Sequence, residues 1–238
     1  MASQIKLGDI AVDVVLKDIK NVHLSVHPPT GRVRISAPSR MKMDTIRVFA
    51  ISKLAWIRQQ QKKLRAQERE PPREYLERES HYVWGKRYLL QVKEGVLSPA
   101  VALTPRRILL SVPRGTDRAR RRLILERWYR DLVREQAVEL IQAWRPIVGV
   151  EVKQLFVQNM RTRWGSCNPR SGAIRLNTEL GKKPKECLEY IVVHEMVHIV
   201  EPTHNGRFIT LMDRLMPKWR HVRQALNRIP VRHEDWDY

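Results

Sequence analysis

Residues 190–200 are apolar at nearly every position, and the exceptions are His194, Glu195 and His198. A helix that is apolar on all sides is buried inside a protein. Polar side chains in such a helix are costly unless they find partners. Pro184 is well suited to a first helical turn, which predicts a helix from there to the end of the segment. The chain must therefore fold around a buried helix with three polar groups that need partners.

These three polar residues form the pattern His-Glu-x-x-His. Because four residues advance a helix by slightly more than one turn, His194 and His198 project from one face and can bind a single metal ion. Glu195 points away from the metal but stays close enough to hydrogen-bond a water on it, which predicts a general base rather than a ligand. The competing explanation is a core helix whose two histidines are satisfied by chance. The cost of leaving buried polar groups uncompensated argues against it.

A catalytic zinc site takes three protein ligands and keeps one position open. His204 is the best candidate for the third, because Pro202 breaks the helix after Glu201 and the next turn can carry the chain back under the ion. The spacing from His198 to His204 equals that of the metzincin motif HExxHxxGxxH, although Glu201 stands where that motif has glycine. We therefore predict Zn²⁺ as the cofactor, with His194, His198 and His204 as its ligands.

Other ligand sets remain open. If the helix continues through Pro202, the Glu201 carboxylate shares the face of the two helix histidines and replaces His204 as the third ligand. A carboxylate further along the chain is another alternative for the third ligand. Cys167 as a fourth ligand would close the site, and a lone cysteine beside three histidines is uncommon in catalytic zinc sites. The remaining candidates are expected to be surface or packing residues: His221, His233 and Cys187.

The charge balance of the chain is strongly basic. Among 238 residues, 45 Lys and Arg exceed 25 Asp and Glu, and the net charge of +20 is spread along the sequence without a basic tail. This balance indicates either attraction to polyanions, such as nonspecific contact with nucleic acid, or a diffusely basic surface.

Composition also bears on the compartment. Two cysteines are too few for a disulfide framework and are expected to be reduced. No apolar run has the length needed to span a bilayer, so we expect no membrane partner. The first residues lack the basic stretch, apolar core and cleavage site of a secretion signal, which predicts a cytoplasmic protein.

The pattern along the chain predicts an α+β protein with two regions and no internal repeat. Residues 1–113 form an N-terminal region rich in antiparallel β-strands, with one long helix over about 44–69. Residues 114–238 form a zincin-like catalytic region whose first helix, 117–144, stops at Pro146. The rest of that region contains a strand at 152–157, a hairpin of 163–167 with 174–177, the His-Glu-x-x-His helix, and closing helices, of which the first spans about 205–216.

Several motifs in the last third resemble those of one family, the YgjP-like metal-dependent hydrolases or metallopeptidases. That family is related to the SprT-like and the small gluzincin-type peptidases. The N-terminal hairpins and the helices around residues 53–57 and 128–130 are also similar to its pattern, so the resemblance covers nearly the whole chain. Thr203 stands where the family commonly has Asn, and Ile209 stands where it commonly has Trp. The resemblance therefore does not determine the walls of the cleft or the substrate preference. The resemblance rests on Met160–Cys167, Ile174–Asn177, Val193–His198, His204 and Phe208.

The motif and the resemblance together predict a zinc-dependent metallopeptidase. Zn²⁺ lowers the pKa of its water toward about 7, Glu195 takes the proton, the hydroxide attacks a polarised carbonyl, and Glu195 passes the proton to the leaving amine. In related peptidases an extended substrate pairs with the edge strand beside the active-site helix, and the resemblance puts the 163–167 hairpin near that cleft. Trp164 is then a candidate pocket wall and Arg163 a candidate partner for an acidic group. A core tryptophan and a solvated arginine are the alternatives.

Two other substrates remain open. A divalent ion with a neighbouring base also hydrolyses phosphoanhydrides, and YgjP-like proteins have been linked to nucleotide pyrophosphatase activity. SprT-like relatives act on DNA-bound proteins, and the net charge of +20 supports a similar nucleic-acid-associated protease here. The sequence contains no known nucleic-acid-binding motif. The predicted partner is therefore a peptide or protein substrate, or a nucleotide. The basic side chains available to a triphosphate near the hairpin are Arg161, Arg163, Arg170, Arg175, Lys182 and Lys183.

Overall fold

The chain forms two compact units. The first comprises Met1–Pro72 with Pro230–Tyr238, and the second comprises Arg73–Ile229. Residues 73–113, which the strand pattern groups with the N-terminal hairpins, lie in the second unit, and the predicted domain boundary after residue 113 stays a prediction. The structure is a computed structural model that describes residues 2–27, 31–66, 69–70, 73–160, 163–228 and 231–232.

The first unit contains a four-stranded sheet in the order β1-β2-β4-β3. The pairs β1–β2 and β3–β4 are antiparallel, as the alternating pattern predicts, whereas β2 and β4 run parallel and join the two pairs. Inward side chains of β2 and β4, such as Val12, Val14 and Ile35, are fully buried. The strands are β1 (Ala2–Leu7), β2 (Ile10–Lys17), β3 (His23–His27) and β4 (Arg32–Pro38).

The single helix predicted over 44–69 is two helices, α1 (Met43–Ser52) and α2 (Leu54–Ala66). The break falls at Lys53, whose φ of −103° and ψ of 5° leave the helical range. Ile46, Ala50 and Ile57 belong to one apolar cluster with the sheet, which explains the periodic pattern that runs through both helices. The last residue of the predicted helix belongs instead to a short strand, β5 (Arg69–Glu70), which pairs in parallel with Val231–Arg232.

The second unit begins with a sheet of the same topology. Its order is β6-β7-β9-β8, in which β6–β7 and β8–β9 are antiparallel and β7–β9 are parallel. The expectation of no internal repeat is therefore wrong at the level of topology, because strand order can recur where no obvious sequence period does. The strands are β6 (Ser80–Val83), β7 (Lys86–Glu94), β8 (Ala100–Leu103) and β9 (Arg107–Val112).

A long helix, α3 (Arg118–Val148), follows this sheet. The Asp117 carboxylate caps it by accepting a hydrogen bond from the Arg120 amide at 2.7 Å. The predicted stop at Pro146 is wrong, because the helix continues through that residue and ends at Gly149, whose φ is +74°. A proline in the last turn removes one amide donor without ending the helix. In the described ranges, neither α3 nor any other helix is long and apolar enough to cross a membrane.

The last third of the chain contains a small sheet in the order β10-β12-β11. The predicted hairpin is confirmed, since β11 and β12 are antiparallel, and β10 runs parallel to β12. The α+β class is confirmed as well. The elements are β10 (Gln154–Gln158), β11 (Gly165–Asn168), β12 (Ala173–Asn177), a 3₁₀ helix (Thr178–Lys182), α4 (Lys185–Val200), α5 (Gly206–Leu215) and α6 (Trp219–Arg228).

The β6–β7 turn fixes the start of α4. The Trp84 and Gly85 amides donate to the carbonyls of Gly181 and Lys182 at 2.9 and 3.2 Å. Gly85 has a φ of +77°, and a Cβ there would lie 2.9 Å from Pro184 Cγ. Only glycine fits this position without strain, so the turn can pack directly on the residue that precedes α4.

His81 on β6 is buried among charged groups near the 3₁₀ helix. Its Nε2 lies 3.5 Å from Glu79 Oε1, and its ring lies 5.9 Å from that of Tyr75. Burial, with the charges of Arg73 and Lys182, lowers the pKa of His81 from 6.5 to about 3. The folded protein therefore holds this imidazole neutral, whereas the unfolded chain protonates it below pH 6.5.

Stability should therefore fall as the solution is acidified. The unfolded state binds the extra proton, so the contribution of His81 is complete above pH 6.5 and is lost as the pH falls toward 3. At pH 5 the loss is about 2 kcal/mol of unfolding free energy. Urea unfolding at pH 7.5 and 5 should show a shallower pH dependence for His81→Gln than for the wild type. Substitution of the exposed His221 by Gln should leave the wild-type pH dependence, and equal slopes for both variants would contradict the assignment.

Candidate metal centre

Helix α4 carries the His-Glu-x-x-His pattern through the centre of the second unit. It begins at Lys185, directly after Pro184, and ends at Val200, as predicted. Val193, Met196 and Val197 are fully buried in the apolar cluster that α4 shares with α3, β12 and α5. The three polar residues of the pattern are thus held on a helix that neighbours pack on nearly every side.

Three imidazoles meet at one end of this helix. The Nε2 atom of His204 lies 3.0 Å from Nε2 of His194 and 3.2 Å from Nε2 of His198. One ligand atom from each of the three residues falls within 4.8 Å of the others, a grouping that could hold a metal ion. The structure therefore brings together the three histidines selected from the sequence.

His204 reaches the helix histidines through a short turn. Glu201 leaves the helical conformation, with φ −130° and ψ 97°, so α4 ends before Pro202. The Asn205 side chain then caps α5 by accepting a hydrogen bond from the Phe208 amide at 3.0 Å. The Phe208 ring lies 4.7 to 4.9 Å, centre to centre, from all three imidazoles. One buried aromatic side chain thus supports the whole cluster.

One hydrogen bond sets the tautomer of His198. Its Nδ1 lies 3.0 Å from the backbone carbonyl oxygen of Glu201. A carbonyl can only accept, so Nδ1 carries the proton and Nε2 keeps its lone pair toward the other two rings. This is the arrangement in which a histidine that binds a metal through one nitrogen is oriented through the other.

The surroundings of His194 and His204 also favour their neutral form. Burial, the neighbouring His198 and His204, and the charge of Arg223 lower the pKa of His194 to about 3. Burial, His198 and Arg223 likewise lower the pKa of His204. Neutral imidazole is the form that binds metals, so the environment favours ligation over protonation.

Glu195 is buried beside the cluster, with only 4% of its surface exposed. Its Oε2 has no hydrogen-bond partner among the described residues. Burial raises the pKa of Glu195 to about 8, and the charge of Arg163 opposes that rise. A cation at the histidines would favour the carboxylate, so ligation of a metal and ionisation of this side chain are coupled.

Gly165 on β11 leaves the space that the Glu195 side chain occupies. A Cβ at this position would lie 2.6 Å from Glu195 Oε1 and 2.8 Å from Ile191 Cγ2, which is closer than real Cβ contacts allow. The strand can therefore approach α4 only because residue 165 has no side chain.

A cavity of about 540 Å³ opens next to the histidines. Tyr190, Trp219 and Leu226 are buried and line it with apolar surface, while Arg163 and Arg223 are exposed. The cavity reaches the reacting groups and the predicted substrate residues, which are His194, Glu195, His204, Arg163 and Trp164.

The alternative ligands lie elsewhere. The Glu201 carboxylate accepts a hydrogen bond from the Thr203 hydroxyl at 3.1 Å. Burial and the charge of Glu195 raise the pKa of Cys167 to about 11, and its sulfur is not part of the group of ligand atoms that the three histidines form. Cys187 is buried in the apolar core, and His221 is exposed on α6, while His233 lies outside the described residues.

The basic residues proposed to hold a triphosphate are dispersed. Lys182 forms a buried ion pair with Glu179 at 2.7 Å. Lys183 is only 3% exposed, and its Nζ lies 5.8 Å from the centre of the Trp164 ring. Arg163 lines the cavity beside the histidines. Of the others, Arg170 is in the β11–β12 turn, Arg175 packs over Phe156, and Arg161 lies outside the described residues.

Sequence reasoning missed three residues of this site. Gly165 belongs to a motif that was singled out, but its contact with Glu195 depends on how closely β11 approaches α4. Trp219 and Arg223 come from α6, which was expected only as a closing helix. Their i, i+4 spacing marks one face of a helix, yet no local signal says that this face meets the histidines.

Comparisons with known proteins agree with the geometry. Residues 20–229 match the YgjP-like metallopeptidase domain, and the chain therefore belongs to the YgjP-like metallopeptidase family. A metal cofactor is implied by that membership. No curated protein matches the sequence.

Two solved structures are similar over part of the chain. The metallopeptidase zymogen abylysin of Pyrococcus abyssi is 18% identical, with a TM-score of 0.35, and the match covers 40% of this chain and 99% of abylysin. The metallopeptidase zymogen jannalysin of Methanocaldococcus jannaschii is 17% identical, with a TM-score of 0.33, and the match covers 40% of this chain and 92% of jannalysin.

Replacement of Gly165 by Ala should displace the Glu195 side chain and leave the histidines in place. A misplacement of about 1 Å at a reacting group costs about 100-fold in rate, which is the loss expected in turnover. Metal content should stay at the wild-type level. Gly206 has open space around its Cβ position, so Gly206→Ala is the matched control and should keep activity. If Gly165→Ala retains wild-type turnover, the contact does not position Glu195.

Proposed function

We propose that this protein is a zinc-dependent metallopeptidase in which His194, His198 and His204 hold the metal and Glu195 is the general base. The observation that carries this proposal is the convergence of three imidazoles, with the Nε2 atom of His204 3.0 and 3.2 Å from those of His194 and His198, beside a buried carboxylate on an open cavity. Membership of a metallopeptidase family supports the reaction class.

The donor set fits zinc. Imidazole nitrogens suit Zn²⁺ among the divalent metals, and three protein ligands leave the open position that distinguishes catalytic from structural zinc sites. The hydrogen bond from His198 Nδ1 to the Glu201 carbonyl supplies the outer support that such ligands usually have. When bound, zinc supplies Lewis acidity that polarises a carbonyl and makes a water acidic.

Glu195 moves the proton in this proposal. Its buried carboxylate takes a proton from the attacking water and holds it at an Oε atom, where burial favours the protonated form. It then donates that proton to the nitrogen of the leaving amine. The raised pKa favours the first of these two transfers, because a carboxylate with a higher pKa is a stronger base toward the water.

Strand β11 is suited to bind the peptide backbone. It lies at the edge of its sheet and pairs with β12 on one side, which leaves the other side to an added strand. Gly165 on this strand contacts the Glu195 site, so a peptide paired with β11 runs beside the reacting groups. An extended substrate bound in this way presents alternate side chains to the cavity.

The ligand assignment is tested by metal affinity. Loss of the third imidazole in His204→Ala should lower zinc affinity by more than the roughly 100-fold effect of removing an outer-sphere partner. The Glu201→Gln variant distinguishes the alternative, because its carboxylate is engaged with Thr203 and its loss should leave zinc affinity unchanged. Competition with a chromogenic chelator measures both. A larger loss of zinc affinity in Glu201→Gln than in His204→Ala would show that Glu201, and not His204, is the third ligand.

The general base is tested by separating metal binding from turnover. In Glu195→Gln, zinc content should equal that of the wild type, whereas peptide cleavage should fall by roughly 100-fold to 10,000-fold. Glu186→Gln, on the exposed first turn of the same helix, is the matched control and should keep full activity.

The assay follows cleavage of an unfolded protein by mass spectrometry, with nucleoside triphosphates tested in parallel. Wild-type turnover in Glu195→Gln would overturn the role of this residue. Chelator-sensitive hydrolysis of triphosphates without any peptide cleavage would show that the protein is a nucleotide hydrolase and not a peptidase.

A further inference from the structure

Two arginines, Arg163 and Arg223, line the cavity beside the histidines. Arg163 and Arg223 make no ion pair with any side chain that the structure describes, whereas Arg220, which is next to the same helix face, pairs with Asp213. Among the described residues that line this cavity, Glu195 is the only acidic one. The two guanidinium groups are therefore available to an anion that enters from solvent.

Both arginines are attached to fixed positions. The backbone carbonyl of Arg163 accepts a hydrogen bond from Asn177 Nδ2 at 2.8 Å, and Asn177 is only 5% exposed. Arg223 lies on α6, and its guanidinium carbon is 5.9 Å from the centre of the Trp219 ring. Because the planar fork of a guanidinium matches a carboxylate, it loses less entropy for each hydrogen bond that it forms with such an anion.

The rest of the cavity suits the apolar part of a side chain. Tyr190 and Trp219 stack at 6.2 Å with an interplanar angle of 13°, and Leu226 is 2% exposed. A site with apolar surface inside and two guanidinium groups at its exposed part fits a short aliphatic stem that ends in a carboxylate. A lysine or arginine side chain in the same place would meet two like charges.

We propose that this cavity selects a substrate residue that carries a carboxylate, with Arg163 and Arg223 as the specificity residues. The inference rests on the proposed peptidase function and names its substrate class, which is peptides with Asp, Glu or a free C-terminal carboxylate next to the cleaved bond. Because a charge-assisted pair with a guanidinium is roughly twice as strong as a neutral hydrogen bond, the preference is expected to be large.

Binding to the zinc-loaded full chain with Glu195→Gln tests the inference without turnover. The probes are one pair of capped pentapeptides with a central Glu or a central Gln, and a second pair that differs only in a free or amidated C-terminus. Calorimetry should give roughly tenfold or tighter affinity for the carboxylate member of at least one pair. The pair that shows the effect identifies the source of the carboxylate.

The two arginines are tested in the same background. Arg163→Gln and Arg223→Gln should each remove most of this preference, while Arg214→Gln, an exposed arginine on α5 outside the cavity, should keep it. In Arg223→Glu the preference should turn toward a peptide with central Lys, an outcome that a merely structural role would not produce.

Three results would overturn the inference. They are equal affinity within both peptide pairs, no binding of any peptide, and a preference that survives both glutamine variants. Tight binding of inorganic triphosphate through the same arginines, with no peptide bound, would likewise assign the cavity to phosphate. Cleavage of neutral peptides that depends on Glu195 would leave the proposed peptidase intact even if this specificity fails.

Discussion

The structure depends on three imidazole nitrogens that meet at His204, whose Nε2 lies 3.0 and 3.2 Å from the Nε2 atoms of His194 and His198. Lone pairs that face one another at this separation repel, and a cation between the rings relieves that repulsion. Burial and neighbouring positive charge act against the proton at His194 and His204. The packing of α4, the Phe208 ring and the cap at Asn205 therefore hold together three nitrogen atoms that favour a metal.

The same packing determines what surrounds the metal centre. Helix α4 brings Glu195 into the core next to His194, and β11 can approach it because Gly165 has no side chain. That approach puts β11, an edge strand of its sheet among the described residues, beside the buried carboxylate. Helix α6 contributes Trp219 and Arg223 to the cavity wall. The proposed base, the proposed backbone-binding strand and the cavity are therefore adjacent.

The parts of this arrangement that were predictable from sequence are local. The spacing of His194, Glu195 and His198 on one helix follows from helical geometry, and Pro202 indicated where that helix ends. The contacts of Gly165 and Arg223 were not predictable, because they join segments far apart in the chain through packing that no short pattern encodes. The matching order of the two four-stranded sheets was missed for the same reason, since alternation reveals strands but not which strands become neighbours.

The end of α4 has one more implication. Its final turn offers a backbone carbonyl, that of Glu201, to His198, and the next few residues return the chain to the cluster at His204. Because the group that binds His198 is a backbone carbonyl, the side chain at position 201 can vary, whereas the number of residues between His198 and His204 cannot. Insertion or deletion of a single position there would separate the two rings, and divergence within this family should accordingly respect the length of the turn more strictly than its composition.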